Sequence, residues 1–440
     1  MTTDETTTQD DFDVEHIDKG TRIKALIGSA IGSTVEWYDF FLYGTMASVV
    51  FGPLFFPDQD RFTATLLSLA SFALAFVVRP IGGIIFSHIG DRIGRKKTLV
   101  FTLSLMGIST AAMGLLPTAY QVGALAPVLL TLLRLIQGLA LGGEWGGGIL
   151  LAVEYSPRKQ RGFYGAVPQT GALFGLALGN LTLWFIDWLL PEDAFMAWGW
   201  RIPFLLSALL VLFGLWIRAR IDETPAFRKV KSERKEAKIP IVEIFRTQWP
   251  SVLKAIGAKF IETSTFFIFA TYSITYAVER GFTRGEALMA VLVAAIVAVP
   301  CMLAIGAWSD RVGRKKLYLV GIVLAVIYIV PYFWILNQHN VALLVVATVV
   351  GFGAIWSVYG ALMGTFLAES FTADVRYTGI SLGYQVGAAL VGGTAPLIAT
   401  ALVGGEANRY PLVGLFVAFC AVVSFISVAL TRDRSGEVLD

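Results

Sequence analysis

Charge is scarce in this chain. Asp, Glu, Lys and Arg make up 15% of its 440 residues, against 56% hydrophobic ones. A soluble protein carries about 25% charge, so too few polar side chains are present to cover a water-facing surface. Mean hydropathy is +0.68. Cysteine is scarcer still: Cys301 and Cys420 both lie in apolar runs, which excludes a disulfide framework and predicts buried free thiols. The three histidines, His16, His88 and His339, are scattered, so no metal-ligand cluster is present and no metal or other cofactor is expected. A net charge of +3 speaks against nucleic acid or another polyanion as partner. The first twenty residues are acidic and polar (Asp10, Asp11, Asp13, Glu15). They lack a basic stretch followed by a short apolar one, so a cleaved signal peptide is not expected, and residues 1–20 read as a disordered cytoplasmic tail.

What the chain does have is a succession of apolar runs near 20 residues, long enough to cross a ~30 Å hydrocarbon layer as helices. The period-2 alternation of a membrane barrel is absent, and a spanning helix satisfies its own backbone. Twelve spans are predicted, near 26–49, 65–89, 98–117, 124–153, 163–188, 202–218, 252–278, 286–307, 317–336, 341–368, 378–402 and 410–431. The lipid bilayer is thus the main partner. Of the 35 Lys and Arg residues, 26 fall on one side of these spans, 5 on the other and 4 inside them. The positive-inside rule puts the rich side, and both termini, in the cytoplasm.

The chain also repeats itself. Gly90-Asp91-Arg92-Ile93-Gly94-Arg95-Lys96-Lys97 returns as Ser309-Asp310-Arg311-Val312-Gly313-Arg314-Lys315-Lys316, 219 residues later. Glu154 with Arg161 returns as Glu369 with Arg376, both pairs seven residues apart. A basic loop repeated at half-length means two tandem helical bundles in the same orientation, the plan of a secondary transporter. The expected units are an N-terminal six-helix bundle over 21–219, a cytoplasmic linker over 220–249, a C-terminal six-helix bundle over 250–432 and a cytoplasmic tail over 433–440. The linker run Lys229-Val230-Lys231-Ser232-Glu233-Arg234-Lys235 reads as a solvated connector or an amphipathic segment on anionic lipid.

These repeats resemble the loop motif of the major facilitator superfamily, Gly/Ser-Asp-Arg-x-Gly-Arg-Lys-Lys. Arg134-Leu135-Ile136-Gln137-Gly138 resembles its span 4 motif. Glu36-Trp37-Tyr38-Asp39-Phe40, Arg79-Pro80-Ile81-Gly82-Gly83, Gly142-Gly143-Glu144-Trp145-Gly146-Gly147 and Trp198-Gly199-Trp200-Arg201-Ile202-Pro203-Phe204 are similar to its metabolite:proton symporter branch. That branch includes transporters of shikimate, 2-oxoglutarate, citrate and proline/betaine. The resemblance implies an all-α membrane protein of twelve transmembrane helices in two pseudo-symmetric six-helix bundles, the major facilitator fold. It also implies a monomer in a bacterial cytoplasmic membrane.

Ionisable side chains deep in a span are costly and mark cavities or partners. Glu36, Asp39 and Tyr43 share one helical face. Asp39 lies roughly 20 Å in from the cytoplasmic end of span 1, and Arg134 roughly 15 Å from the outer end of span 4, so the two fall at similar depth. A carboxylate that alternates between paired and unpaired states loads and releases a proton, while arginine stays charged. Asp39 is therefore the candidate proton carrier, Arg134 its charge partner and Glu36 the competing carboxylate. A permanent structural pair between spans 1 and 4 is the alternative. Arg79 offers a fork for a substrate carboxylate, and the resemblance implies that contact; snorkelling or pairing with Glu144 fits equally. Lys259 corresponds by the repeat to position 40 of span 1, and either holds a substrate carboxylate or pairs with Glu262 one turn away. Tyr43, Gln137, Glu144, Trp145, Gln169, Tyr384 and Gln385 complete the candidate substrate-binding set, and Tyr38 is a further candidate cavity hydrogen bonder. The span 10 counterpart of Arg134 is the apolar Val349, so the proton machinery is expected in the N-terminal half alone.

The loop residues Asp91, Arg92, Arg95, Asp310, Arg311 and Arg314, with Glu154, Arg161, Glu369 and Arg376, have a different expected task. The resemblance implies a cytoplasmic latch that holds the outward-facing state.

The chain is therefore expected to be no enzyme. It is expected to import a small organic acid with protons by alternating access. A symporter of a zwitterionic osmolyte such as betaine or proline is the alternative, and would want an aromatic cage. A drug:proton antiporter ranks lower, because span 5 carries no clear Gly-x-x-x-Gly-Pro-x-x-Gly-Gly run.

Overall fold

The computed structural model describes residues 19–93, 95–142, 145–154, 156–219, 240–372 and 376–437. The predicted tail over 1–20 (but for its last two residues) and most of the predicted linker fall outside these residues, as does Glu144. So do the side chains of Asp91, Arg92, Arg95 and Glu154.

Among the described residues every regular element is helical. Eight helices are long and apolar enough to cross a membrane, and Val100–Gly114 and Leu125–Leu141 are shorter apolar ones. Two further long segments complete twelve spans at the predicted positions. Span 1 is Lys19–Val49. Span 7 runs as Trp249–Phe267, a wide π turn over Ile268–Tyr272 and Ser273–Glu279. Span 4 is Leu125–Leu141 followed by Trp145–Glu154, and span 10 carries a second π turn over Val349–Trp356. Pro240–Thr247 forms a short amphipathic helix before span 7.

The chain is inside-out relative to a soluble protein. Leu209, Leu212, Ile327, Leu415 and Phe419 face outward, whereas Asp39, Arg134, Gln137 and Lys259 are buried. Exposed tryptophans fall at both levels of the bundle. Trp188 and Trp334 lie at the C-terminal ends of spans 5 and 9, and Trp216, Trp249 and Trp308 lie toward the opposite face of the bundle, on spans 6, 7 and 8. Indole rings prefer such interfaces.

Spans 5 and 8, 2 and 11, and 4 and 10 pack across the two halves, while spans 3 with 6 and 9 with 12 pack within one half each. Glycine permits the tightest approach, between spans 2 and 4. A Cβ on Gly82 would strike the Leu139 carbonyl, and one on Gly142 the Arg79 carbonyl. Close packing of small residues is what holds helices together in lipid. Here it sets Arg79 and Arg134 at fixed depths. Cys420 is buried as predicted, but Cys301 is only half-buried, because its position on span 8 turns partly outward.

Candidate functional site

The two halves line a small cavity partway along the spans, with about 30 Å³ open to water. Trp37, Phe76, Arg79 and Gln169 line it from the N-terminal half, and Lys259, Glu262, Phe266, Trp356 and Tyr384 from the C-terminal half. Arg79 is almost fully buried, with its guanidinium 4.2 Å from the Phe40 ring centre and 4.7 Å from that of Phe76. Glu36 is close enough to act on it electrostatically. On the opposite wall the Lys259 ammonium donates to Glu262 Oε2 and lies 3.8 Å over the Tyr384 ring. Tyr384 stacks on Trp145, whose Nε1 donates to Gln169 at 3.3 Å. Gln169 in turn donates to the Gly360 carbonyl of span 10, and Gln385 to the Gly142 carbonyl of span 4. Aromatic faces and two cations thus meet in one low-dielectric space, which suits a small anion or a cation beside a carboxylate.

A second polar cluster lies inside the N-terminal half. Asp39 is fully buried, and Ser207 of span 6 donates to its Oδ1, while Oδ2 has no protein partner among the described residues. Arg134 is fully buried as well. It donates to Gln137 and sits 4.1 Å from the Tyr43 ring centre and 4.5 Å from that of Phe40. Gln137 donates to Thr110 and, at 3.5 Å, to the backbone carbonyl of Asp39. The direct ion pair expected between Asp39 and Arg134 is not made in this conformation. Gln137 stands between them, and rings of Phe40, Tyr43 and Phe72 solvate the guanidinium instead. Phe40 touches both arginines, so it joins this cluster to the cavity.

Contacts between the two halves gather near both ends of the bundle. At the end of the bundle that carries the basic repeats, Asp310 accepts the Gly162 and Phe163 backbone N–H groups at the start of span 5, at 2.8 and 3.2 Å. Arg314 pairs with Asp310 and with Glu369, both at 3.0 Å, and Arg161 lies 3.9 Å from Glu369. Burial pushes the Glu369 carboxyl up to about 7, against the opposing pull of Arg314 and Arg161. Arg161 also donates to the Glu437 carbonyl, which brings the C-terminal tail onto the N-terminal half. Arg376 donates to the Phe371 carbonyl. At the opposite end Arg284 of span 8 pairs with Asp187 at 2.8 Å and Glu192 at 2.7 Å, and its guanidinium covers the Phe195 ring.

Of the residues singled out in the sequence, Arg79, Gln169, Lys259 and Tyr384 line the cavity, with Trp145 stacked behind. Tyr43 and Gln137 do not reach it: Tyr43 bonds Ser71, and Gln137 serves the Arg134 cluster. Tyr38 also points elsewhere and donates to the Pro203 carbonyl. Arg311 makes no ion pair among the described residues, unlike Arg314. Sequence reasoning passed over Glu262 as a cavity wall, and missed Trp37, Trp356, Ser207, Asp187, Glu192 and Arg284. Glu262 was visible as an intramembrane carboxylate; Trp356 was not, because a π turn directs it inward.

The profile of the Major Facilitator Superfamily matches residues 29–396. The chain is 40% identical over 448 residues to the inner membrane metabolite transport protein YhjE of Escherichia coli (strain K12), covering 99% of both. It is 35% identical to the shikimate transporter of that strain, over 93% of this chain and 94% of the relative. To the strain's proline/betaine transporter it is 31% identical, over 97% and 87%. The partially occluded, inward-open xylose transporter XylE from E. coli shares the fold, with a TM-score of 0.76 at 16% identity over 96% of this chain and 100% of that one. The chain belongs to the Major Facilitator Superfamily: it is a multi-pass membrane transport protein and not an enzyme.

Proposed function

We propose that this transporter imports a small organic acid together with protons across a bacterial cytoplasmic membrane, as a monomer with both termini inside. The observation that carries this reading is the cavity between the halves, where Arg79 and Lys259 face one enclosed space from opposite walls. A carboxylate can take a fork from Arg79 and a point charge from Lys259. Tyr384, backed by Trp145, and Trp37 offer flat faces to a ring or chain. The likeness to a shikimate transporter supports an acid as cargo.

Asp39 is the proposed proton carrier. A buried carboxylate with no cation beside it is costly as an ion, so the arrangement here suits the neutral acid. In the discharged state Gln137 swings aside and Arg134 meets Asp39, which favours proton release. Glu36 instead tempers Arg79 at the cavity. The latches at Asp310 and Arg284 must break in turn, one per half-cycle, so that the site faces one side at a time.

The aromatic walls, with Lys259 already paired to Glu262, also suit a betaine-like zwitterion, and the proline/betaine relative supports that second reading. Uptake into proteoliposomes under an inward proton gradient separates the two. Shikimate, 2-oxoglutarate, citrate and an aromatic acid are tested beside betaine and proline. Accumulation of an acid that collapses with a protonophore supports the first reading. Accumulation of betaine or proline alone supports the second, and accumulation unaffected by the protonophore refutes proton coupling.

A further inference from the structure

We infer that Lys259 and Glu262 are an exchangeable pair: the substrate carboxylate displaces Glu262 from Lys259, and Glu262 takes up a proton in the same step. This inference rests on the acid-import reading above and adds a second proton site, in the C-terminal half.

The pair lies in the wall of the cavity itself. Lys259 Nζ donates to Glu262 Oε2, and the Thr263 hydroxyl donates to the same oxygen at 2.8 Å. Trp356 Nε1 holds the Glu262 backbone carbonyl at 2.9 Å, which fixes the turn of span 7 that carries both charges. Lys259 and Glu262 are both buried, so neither charge is relieved by bulk water. Among the described residues, the titratable and charged groups that act on the pair are Arg79 from span 2, Tyr318 from span 9, Tyr359 from span 10 and Tyr384 from span 11, and Glu36 from span 1 acts in turn on Arg79 and Tyr384.

Charge balance drives the argument. As ions, Arg79 and Lys259 cancel Glu36 and Glu262, and the tyrosines are neutral. A substrate carboxylate added to this closed space leaves one negative charge unmatched, which is expensive at low dielectric. One proton restores neutrality. It belongs on the carboxylate that has just lost its ammonium, because removing one partner of a buried pair leaves the other uncompensated. The step is balanced: one proton from the outer side forms an O–H bond on Glu262, and the Lys259 contact passes from Glu262 to the substrate. On the inner side the substrate departs, Lys259 returns to Glu262 and the proton leaves to the cytoplasm. A zwitterion differs, since its own ammonium can occupy the Glu262 carboxylate and no proton is needed there.

The test is substrate counterflow in proteoliposomes, with equal pH on both sides and radiolabelled shikimate and 2-oxoglutarate as probes. Counterflow needs no gradient, so it reads binding apart from driving force. In wild type the KM for the transported acid should rise with pH, by up to about tenfold per unit where one proton binds with the anion. Glu262→Gln, which fixes this site in its neutral form, should flatten that dependence to less than about twofold per unit in whatever counterflow remains. Glu262→Asp, which keeps a titratable group, should restore it and shows that the site folds. A Glu262→Gln variant that transports the acid with the wild-type pH dependence overturns the exchange and leaves the acid-import reading intact. Counterflow of neither acid by wild type overturns that reading, and the inference with it.

Discussion

Asp310 at the inner end of span 8 holds the Gly162 backbone N–H at the start of span 5, 2.8 Å away and 148 positions earlier in the chain. The contact joins the two halves. It exists because both helices are stripped to glycine at the crossing: a Cβ on Gly162 would strike the Gly306 carbonyl. A carboxylate at a helix N-terminus meets unsatisfied N–H groups and the positive end of the helix dipole. Charge-assisted bonds of this kind contribute about 1.5–3 kcal/mol. Asp310→Asn should therefore open the cytoplasmic side roughly tenfold more often. Labelling of a cysteine introduced into the cytoplasmic mouth reads this directly, and unchanged labelling would remove Asp310 from the latch.

The outer mouth is held differently. Arg284 binds Asp187 and Glu192 through ion pairs, and Glu192 is largely exposed. Surface pairs contribute only about 0.2–1 kcal/mol each and weaken as salt rises. Arg284→Ala should shift the protein modestly toward outward opening, by about two- to fivefold, with the difference from wild type shrinking at ~1 M salt. Accessibility of an introduced outer-side cysteine, measured at low and high salt, checks both points.

Glu369 makes the cytoplasmic latch sensitive to pH. Burial pushes its carboxyl up to about 7, whereas a solvated glutamate titrates near ~4.3. The closed arrangement therefore holds the Glu369 proton more tightly than an open, solvated one. By linkage, the closed cytoplasmic face gains stability as pH falls below about 7 toward ~4.3, and loses that contribution as pH rises through about 7. Cytoplasmic accessibility should rise with pH in wild type and stay flat in Glu369→Gln. A profile of unchanged steepness in Glu369→Gln assigns the effect to another group.

Span 2 and span 4 leave no room between them. Gly138 faces the Ala75 backbone, and any Cβ there overlaps it. Gly138→Ala should destabilise the protein by about 1–3 kcal/mol, since overpacking forces the helices apart. It should also misplace Arg134, one turn away. Thermal unfolding in detergent measures the first effect, and a melting temperature equal to wild type would contradict the packing described here.

Much of this architecture was legible in the chain. Twelve apolar runs, two basic repeats and the sign of the loops carry the fold and its symmetry. Arg79, Gln169, Lys259 and Tyr384 were legible as cavity residues, because charge or amide inside a span has little else to do. The partnerships were less legible. Asp39 and Arg134 match in depth, yet depth says nothing of the angle around each helix, and Gln137 occupies the space between them. Asp310 was expected in the cytoplasmic latch, but the donors it accepts from include backbone amides of span 5, which carry no side-chain signature. Trp356 reaches the cavity through a π turn that no spacing rule announces. The expectation of proton chemistry in the N-terminal half alone followed from the apolar Val349 at the repeat position of Arg134, with Glu262 weighed only as a partner for Lys259, which it is.

The central claim is that Asp39 carries a coupled proton. Its most direct test is uptake into proteoliposomes by wild type and Asp39→Asn, of whichever acid wild type accumulates under an imposed inward proton gradient. Asp39→Asn should accumulate less of the acid than wild type, keeping only what a single proton at Glu262 can drive, while retaining gradient-free exchange of the same acid, which shows that folding and binding survive. Accumulation by Asp39→Asn at the wild-type level would contradict the account.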